Sequence, residues 1–412
     1  MTYQHVAAMG AAAEIRDFPM ARAAGRPFDP PPELRVSEAP ALTKVRLWDG
    51  TTSWLVRRHA DQRALLADGR ISHDDTRPGF PSISAGSRAR SMRRMRAFIA
   101  MDDPEHARLR RMVTAPFAIK RVEALRPRVQ RIVDELIDEL LRGQKPVDLV
   151  RAFALPVPSR VICELLGVPY ADHEFFQRNG RTLLSGDASI ESALAAQRAL
   201  VDYLAGVAGE KLADPGDDVL SWLAVRQVKT GGMTLSELAL QATLLLVAGH
   251  ETTANMIALG TLALLEHPDQ LAALRDSDDP GLTAAAVEEL LRYLTIAHMG
   301  ARRVALADVE IAGEVIHAGD GVIFALNVAN RDTDVFSDPD RLDIHRNARG
   351  HLAFGFGVHQ CLGQPLARIE LQVVYGTLYR RVPTLRLAVD PGRLPFKNDS
   401  VVYGVDELPV TW

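Results

Sequence analysis

The sequence predicts a mainly α-helical α+β fold with a smaller β portion from three observations. No Gly/Ser-rich or charged linker divides the chain, so we expect one large domain over residues 1–412. Thr234 and Glu237 form a capping-box pattern that opens a proline-free stretch reaching Glu266, a helix roughly 50 Å long. Apolar residues at helical spacing between residues 120 and 141, followed by Gly143, predict an amphipathic helix. Alternation around Asp49-Gly50, within residues 44–56, predicts a two-residue β-hairpin.

Composition excludes several classes of protein. The chain is 47% hydrophobic and 24% charged, which suits a large globular core, and its net charge of -4 gives no reason to expect a nucleic-acid partner. Two cysteines make no disulfide framework, so we expect a cytoplasmic protein. The N-terminus lacks the pattern of a secretory signal, and the most apolar stretch, 238–249, is too short to span a bilayer, so no membrane partner is expected.

Two features precede the long helix. Residues 78–96 end in a cluster of arginines, for which a solvated basic surface is the simplest interpretation. Asp103 followed by Pro104 predicts the start of a helix, because aspartate is favoured at the N-cap and proline at the first helical position. Their spacing of four then places His106 and Arg110 on one face of that helix. Taken alone, that pair reads as an ordinary surface pair. The arginines of the cluster are Arg88, Arg90, Arg93, Arg94 and Arg96.

The long helix carries polar residues in its apolar middle, within Ala248-Gly249-His250-Glu251-Thr252-Thr253. Burying such groups costs free energy unless they are partnered, and a mid-helix glycine costs about 1 kcal/mol relative to alanine. Thr252 can bond the Ala248 carbonyl, while Ala248 and Gly249 would leave space beside it. One interpretation is a helix with a few internally bonded polar residues. The other is a groove with room for a small ligand, an acid and a hydroxyl.

One cysteine, Cys361, lies just after a loop with two glycines and before a segment, 362–374, whose spacing predicts a helix. A sulfur at a helix N-terminus is favoured as the thiolate, so we expect a lowered pKa and a role as ligand or nucleophile. Flanking glycines and phenylalanines suit a planar apolar macrocycle, and His359 could donate to an anionic group on it. The competing interpretation is a small buried hydrophobe. The pattern consists of Phe354, Gly355, Gly357, His359, Cys361 and Gly363.

Over this stretch the chain resembles the cytochrome P450 family, and the likeness continues from His106 through Arg368 by motif. The resemblance implies an α-rich lobe and a small β-sheet lobe around a buried haem b, with Cys361 as the axial iron ligand. It implies that His106 and Arg110 hold one haem propionate and that Arg303, with Arg302 as a rival, holds the other. The remaining cofactor-binding residues implied by the resemblance are Ala248, Gly249, Phe354, Gly355, His359 and Gly363.

The resemblance also assigns roles to acids and arginines elsewhere. It implies that Glu251 and Thr252 deliver protons during catalysis. Glu289 and Arg292 would join an arginine from a later loop in a structural ion-pair trio, with Arg346 favoured over Arg341. The arginine-rich stretch 88–96 would lie near the substrate, which raises the hypothesis of an anionic substrate.

The activity that the resemblance implies is hydroxylation of an apolar or amphipathic small molecule, such as a secondary metabolite or xenobiotic, with O2. Electrons would come from a ferredoxin with an NAD(P)H-dependent reductase, because the chain has no room for a fused reductase, and we expect a monomer. Two alternatives are a non-catalytic haem-thiolate gas sensor or carrier and a peroxide-driven enzyme. The basic residues expected to attract an acidic ferredoxin are Arg108, Arg111, Lys120 and Arg121.

Overall fold

The structure, a computed structural model, describes residues 15–23, 25–34, 40–92 and 96–412. Arg93 and Arg94, two members of the arginine cluster noted in the sequence, lie outside these ranges. The described part is mainly helical with smaller sheets, as the sequence predicts. Its helices are α1 His59–Leu66, α2 Ala85–Ser91, α3 Glu105–Thr114, α4 Ile119–Glu123, α5 Arg126–Arg142, α6 Pro156–Leu166, α7 His173–Leu184, α8 Ile190–Ala213, α9 Val219–Leu223, α10 Leu235–Leu265, α11 Pro268–Asp276, α12 Pro280–Leu294, α13 Leu326–Ala329 and α14 Gln364–Arg381. Its strands are β1 Arg16–Asp17, β2 Leu42–Arg46, β3 Thr52–Val56, β4 Ile71–Ser72, β5 Val147–Asp148, β6 Ala301–Ala305, β7 Val309–Ile311, β8 Glu314–Ile316, β9 Gly321–Phe324, β10 Arg386–Leu387 and β11 Pro409–Thr411.

Helix α10 crosses the core, as its length and composition predict. The capping box is formed: the Thr234 hydroxyl accepts from the Glu237 N–H at 3.1 Å, and Glu237 Oε2 accepts from the Thr234 N–H at 2.7 Å. The helix packs against α6, α8 and α14, and most of its side chains are buried. At Gly260 a β-carbon would lie 2.0 Å from the hydroxyl of Tyr375 in α14, so this glycine lets the two helices meet.

The single amphipathic helix predicted over residues 120–141 is wrong in one respect, because the segment forms two helices. Helix α4 ends at Glu123 and α5 begins at Arg126. Pro127 has no N–H to donate. It lies in the first turn of α5, where the backbone N–H groups have no partner within the helix, so the proline costs no hydrogen bond there. The apolar spacing nevertheless identified the buried face correctly, since Val129, Ile132 and Val133 are all buried.

The predicted hairpin joins β2 and β3, but its loop has three residues, Trp48-Asp49-Gly50, instead of the predicted two. Leu47 N–H donates to the Thr51 carbonyl at 2.8 Å, and Gly50 N–H donates to the Leu47 carbonyl at 2.9 Å. Gly50 has φ +81°, the left-handed conformation that a three-residue loop requires at this point.

The largest sheet has the strand order β1-β2-β3-β9-β6-β4, in which β3 pairs with β9 in parallel and β9 pairs with β6 antiparallel. Residues 309–316 form the hairpin β7-β8, and β10, β11 and β5 form a third sheet. This arrangement places Arg303 in β6 beside the large helical core. No helix within the described ranges is long and apolar enough to cross a membrane.

Candidate active site

The loop that carries Cys361 is closed by backbone hydrogen bonds and leads into α14. Cys361 N–H donates to the Phe354 carbonyl at 2.9 Å, and α14 begins three residues later with Pro365 in its first turn. Gly355 and Gly357 have φ of +69° and +75°. A β-carbon at Gly357 would lie 2.4 Å from the Leu66 carbonyl oxygen, so this position requires glycine on both conformational and steric grounds.

The pKa of the Cys361 thiol moves in the opposite direction to the one that the sequence predicts. Burial raises this pKa, and the opposing influence of the Gly363 and Gln364 N–H groups and of Arg110 and Arg368 is smaller. The Cys361 residue nevertheless keeps solvent-accessible surface, so a ligand can reach its side chain. Bonding to a metal ion deprotonates a thiol outright, so the expected role as a metal ligand does not depend on a lowered pKa.

Three histidine rings meet beside this loop. The ring centroids of His106 and His359 are 4.1 Å apart and those of His73 and His359 are 4.4 Å apart, with 3.2 Å between the Nδ1 atoms of His73 and His359. Burial, followed by the charge of Arg303, lowers the pKa of His359 to about 3 and that of His73 well below its usual range. Sequence reasoning missed His73, which lies outside every motif.

Two groups of this cluster keep hydrogen-bonding capacity. His106, 2% exposed, holds its Nδ1 2.9 Å from the Asp103 carboxylate, while its buried Nε2 has no partner within the described residues. The predicted cap by Asp103 is therefore wrong: the N-cap of α3 is Pro104, and Asp103 orients the ring instead. Arg303, 6% exposed, donates to the Arg302 carbonyl at 2.7 Å and has further N–H groups.

Arg110 lies on the same face of α3 as His106, as the spacing predicts. Its guanidinium donates to the carbonyl of Gln360, the residue before Cys361, at 2.6 Å. Arg110 thereby fixes the cysteine loop from the side of α3. The sequence proposed a propionate contact for Arg110, and that stays a prediction.

An ion-pair trio joins α12 to the segment that follows α13. Glu289 and Arg292, both 0% exposed in their side chains, are joined at 2.7 Å, and Arg346 reaches the other Glu289 oxygen at 3.2 Å. The choice of Arg346 over Arg341 is confirmed, because the Arg341 guanidinium instead contacts Asp338 and Asp343.

A second cluster, missed by sequence reasoning, lies closer to the cysteine. Arg368, one of the first residues of α14, donates twice to Glu288, at 2.6 and 2.9 Å, and its guanidinium lies 4.6 Å from the Phe354 ring centre. His351 Nε2 lies 3.2 Å from the same carboxylate. Burial alone would raise the pKa of Glu288, yet the bonds from His351 and Arg368 lower it to about 2.

The polar stretch of α10 is only partly as predicted. The Thr252 hydroxyl donates to the Ala248 carbonyl at 2.6 Å, which confirms that bond. Gly249 does not leave free space, however, because a β-carbon there would lie 3.0 Å from Ile162 of α6. The glycine permits close packing against α6, and the accessible surface on this stretch belongs to Ala248, Gly249 and Thr252.

Glu251 is a buried acid, 3% exposed, with incomplete pairing. Its Oε2 lies 4.0 Å from Lys397 Nζ and its Oε1 lies 3.7 Å from His250 Nδ1, and Oε1 accepts no hydrogen bond within the described residues. Burial lowers the pKa of His250, so that its ring is neutral near pH 7. Lys397 comes from the C-terminal segment and carried no sequence signal.

These groups fit a planar cofactor that bears carboxylates and a metal. The Cys361 thiol would supply one metal ligand. His106, whose Nε2 has no partner within the described residues, and Arg303 would supply donors suited to carboxylates. Comparisons with known proteins identify that cofactor class. The Cytochrome P450 family model matches residues 189–392. Cytochrome P450 GfsF from Streptomyces halstedii is 58% identical over 405 residues, 97% of each chain. The chain belongs to the cytochrome P450 family.

Other relatives and solved structures agree with this assignment. The vitamin D3 dihydroxylase of Streptomyces griseolus is 50% identical over 92% of each chain. The crystal structure of GfsF superposes with a TM-score of 0.90 and covers 96% of this P450 and 100% of that chain. The mycinamicin VIII C21 methyl hydroxylase of Micromonospora griseorubida, at 42% identity, also gives 0.90, covering 97% and 100%. This P450 is therefore a haem-iron monooxygenase that uses O2, a small-molecule substrate and redox partners.

Proposed function

We propose that this P450 hydroxylates a C–H bond of an apolar or amphipathic small molecule, such as a secondary metabolite or xenobiotic. The observation that carries the proposal is the arrangement, beside His359 of the Cys361 loop, of His106, whose Nε2 has no hydrogen-bond partner within the described residues, and of the Arg303 guanidinium. The names of two relatives, a vitamin D3 dihydroxylase and a mycinamicin VIII methyl hydroxylase, support this substrate class.

The cofactor in this proposal is haem b, with Cys361 as the iron ligand. His106 and Arg110 would bind one propionate and Arg303 the other, with His359 as a further donor, and Arg110 also holds the loop through Gln360. Phe354, Gly355 and Gly363 would border the macrocycle, and at Gly355 and Gly363 an added β-carbon would meet no atom within 4 Å. When bound, a haem with thiolate ligation supplies O2 activation, because the thiolate favours O–O cleavage.

Glu251 and Thr252 are proposed to supply protons at the oxygen-binding side. Glu251 Oε1 accepts no hydrogen bond within the described residues, so it is open to a partner on the oxygen-binding side, and its other oxygen lies 4.0 Å from Lys397 Nζ. The Thr252 hydroxyl, held by the Ala248 carbonyl at 2.6 Å, keeps its lone pairs available to accept a bond. Ala248 and Gly249, which both keep accessible surface, would lie beside the cofactor.

Electrons are proposed to come from a ferredoxin and its NAD(P)H-dependent reductase. Arg111, Lys120 and Arg121 are exposed on α3 and α4, next to Ile119, which is 72% exposed. Arg108 is unsuited to the role predicted for it, because it binds Glu105 at 2.9 Å and Glu237 at 3.0 Å. If the three exposed cations attract an acidic ferredoxin, the reduction rate should fall as ionic strength rises. A rate independent of salt would contradict this docking surface.

We also propose that residues 1–412 form one domain and that the protein is a cytoplasmic monomer. One hydrophobic core cluster includes residues from Phe98 to Val410, which supports a single domain. Cys163 and Cys361 are both free thiols, which is consistent with a reducing compartment. Sedimentation of the holoprotein tests the monomer directly.

The decisive experiment measures the absorption of the reduced, carbon monoxide-treated holoprotein. The wild type should show the Soret band of thiolate ligation, and Cys361→Ala should lose it. Cys163→Ala is the matched control and should keep the band, because Cys163 is buried in α6 and burial raises the pKa of its thiol to about 12. A band retained in Cys361→Ala would contradict the ligand assignment. Turnover with ferredoxin, reductase and O2, monitored by oxygenated product, tests the reaction itself.

A further inference from the structure

Lys397 approaches the buried carboxylate of Glu251 from the C-terminal segment. Its Nζ lies 4.0 Å from Glu251 Oε2, and the two side chains are 13% and 4% exposed. This distance is too long for a direct hydrogen bond, but the two charges still attract each other because little water screens them. The Lys397 ammonium makes no hydrogen bond within the described residues, so Glu251 is the acid that compensates its charge there.

The backbone around Lys397 is docked on α10. Lys397 N–H donates to the Gly404 carbonyl at 2.9 Å. Gly404 in turn packs on Asn255 of α10, since a β-carbon at Gly404 would clash with the side-chain oxygen of Asn255. The Asn255 amide donates to the Glu251 carbonyl, one turn earlier in the helix, at 2.8 Å. The segment that carries Lys397 therefore meets α10 within one turn of Glu251.

The same segment is bonded on its other side to the loop between α7 and α8. Val401 N–H donates to the Leu184 carbonyl at 2.9 Å, and Gly186 N–H donates to the Asp399 carbonyl at 2.7 Å. The backbone of residues 397–404 is thus held from two sides, by α10 and by this loop. The position from which the Lys397 side chain extends is therefore fixed by the fold.

The other ionisable groups near Glu251 do not take the place of Lys397. His250 Nδ1 lies 3.7 Å from Glu251 Oε1, but burial lowers the pKa of His250, so its ring is uncharged at neutral pH. Helix α7 packs against α10 and carries Arg181 and His173, and neither pairs with Glu251 within the described residues. Lys397 is therefore the cation that faces this carboxylate.

We propose that Lys397 is a positioning residue for proton delivery: its ammonium holds Glu251 Oε2, so that Oε1 stays available for proton transfer on the oxygen-binding side. This inference rests on the proposed function, because Lys397 acts through the role of Glu251. Without the cation, burial would favour the neutral form of the acid. An attraction across 4.0 Å favours one orientation of the carboxylate without a direct bond that would fix its protonation state.

The first test is the infrared difference spectrum of the holoprotein at neutral pH. Lys397→Met minus wild type should show the band of a protonated carboxyl group, and that band should disappear when Glu251→Gln is added. Lys229→Met, at an exposed lysine before α10, should show no such band. Absence of the band from Lys397→Met would overturn the proposal, as would its persistence in the double variant.

The second test follows turnover with NAD(P)H, ferredoxin and reductase, and it needs no substrate. O2 then takes up two electrons and two protons to give hydrogen peroxide, or four of each to give two waters, so water formation requires more protons. The ratio of water to hydrogen peroxide should fall about tenfold in Lys397→Met and about a hundredfold in Glu251→Gln. The double variant should match Glu251→Gln, because both changes act on one carboxylate.

The outcomes of this double-mutant cycle separate the inference from the proposed function. A wild-type ratio in Lys397→Met, or losses that multiply in the double variant, would contradict the positioning role, and Lys397→Gln gives the same test if Lys397→Met does not retain haem. If the wild type lacks the thiolate Soret band, or Glu251→Gln keeps the wild-type ratio, the proposed function fails. If both of those hold and Lys397→Met behaves as the wild type, only the present inference fails.

Discussion

The cysteine loop and the polar stretch of α10 differ in how completely their polar groups are paired. Near the loop, Arg368 contacts Phe354 and donates twice to Glu288, and the neighbouring Glu289 accepts from Arg292 and Arg346. On α10, Glu251 is about as buried as Glu289, but within the described residues one of its oxygens accepts no hydrogen bond, and Lys397 lies 4.0 Å from the other. Fully paired buried charges hold one geometry, whereas a partly paired acid can change its protonation state. Burial alone therefore does not distinguish a structural carboxylate from a reactive one.

Removing the fully paired carboxylate of Glu289 should have the largest effect on stability. Glu289→Ala would leave Arg292 buried without its counter-ion, and we expect a loss of about 3–5 kcal/mol in the free energy of unfolding. Denaturant unfolding measures this loss. Arg341→Ala is the control, because its side chain is 66% exposed and the variant should stay within about 0.5 kcal/mol of the wild type. Equal effects of the two variants would contradict a structural role for the trio.

Lowering the pH should weaken the cluster formed by Glu288, His351 and Arg368. The pKa of Glu288 is about 2 in the folded protein against an ordinary value of 4.5, so the unfolded chain binds more protons. The stabilisation is complete above pH 4.5 and is lost as the pH falls toward 2, by up to about 3 kcal/mol.

Unfolding measured at several acidic pH values tests this linkage. Glu288→Gln should be less stable than the wild type near neutral pH, because a neutral amide cannot pair with Arg368. The variant should also lose less stability between pH 5 and pH 3 than the wild type does. A parallel pH dependence in the two proteins would show that another group is responsible.

Removing the Glu251 carboxylate should lower the activity and leave the stability nearly unchanged. Glu251→Gln keeps the shape of the side chain but removes the acid, so we expect product formation to fall about a hundredfold. The thermal midpoint should change little, because the lost charge was poorly paired. Product formed per NAD(P)H consumed, with the spectrum of the holoprotein as a check, measures the effect. Glu191→Gln, on an exposed turn of α8, should match the wild type.

The smallest expected effect concerns the packing of α10 against α14. Gly260→Ala would place a β-carbon 2.0 Å from the Tyr375 hydroxyl, which also donates to the Met256 carbonyl, and should destabilise the protein by about 1–3 kcal/mol. Gly206→Ala in α8 meets no atom within 4 Å and should instead stabilise it by up to about 1 kcal/mol. Opposite signs in thermal unfolding would confirm that the space at Gly260 matters.

Features encoded in short stretches of the chain could be predicted from the sequence. The glycines around Cys361, the capping box of Thr234 and Glu237 and the ion pair of Glu289 and Arg292 all connect residues a few positions apart. Their partners are therefore visible within one motif. The same holds for the apolar face of α5, although Pro127 divides the predicted helix there.

Contacts between distant segments could not be predicted in this way. Lys397 reaches Glu251 and His73 reaches His359 only because the fold brings separate segments together. The same reason accounts for two wrong expectations: burial by surrounding elements raises the pKa of Cys361, and Ile162 occupies the space beside Gly249. Local sequence identifies which groups are reactive, whereas their electrostatic surroundings depend on the tertiary structure.

The parallel pairing of β3 with β9 has a consequence for synthesis of the chain. Residues 53–56 bond to residues 321–324, so β3 has an unpaired side until most of the chain has left the ribosome. At usual translation rates this delay lasts roughly 10–50 s. An open strand edge of this kind invites pairing with other nascent chains. The yield of folded protein should therefore rise with chaperones that bind the nascent chain early. Slower synthesis alone would lengthen the time for which β3 stays unpaired.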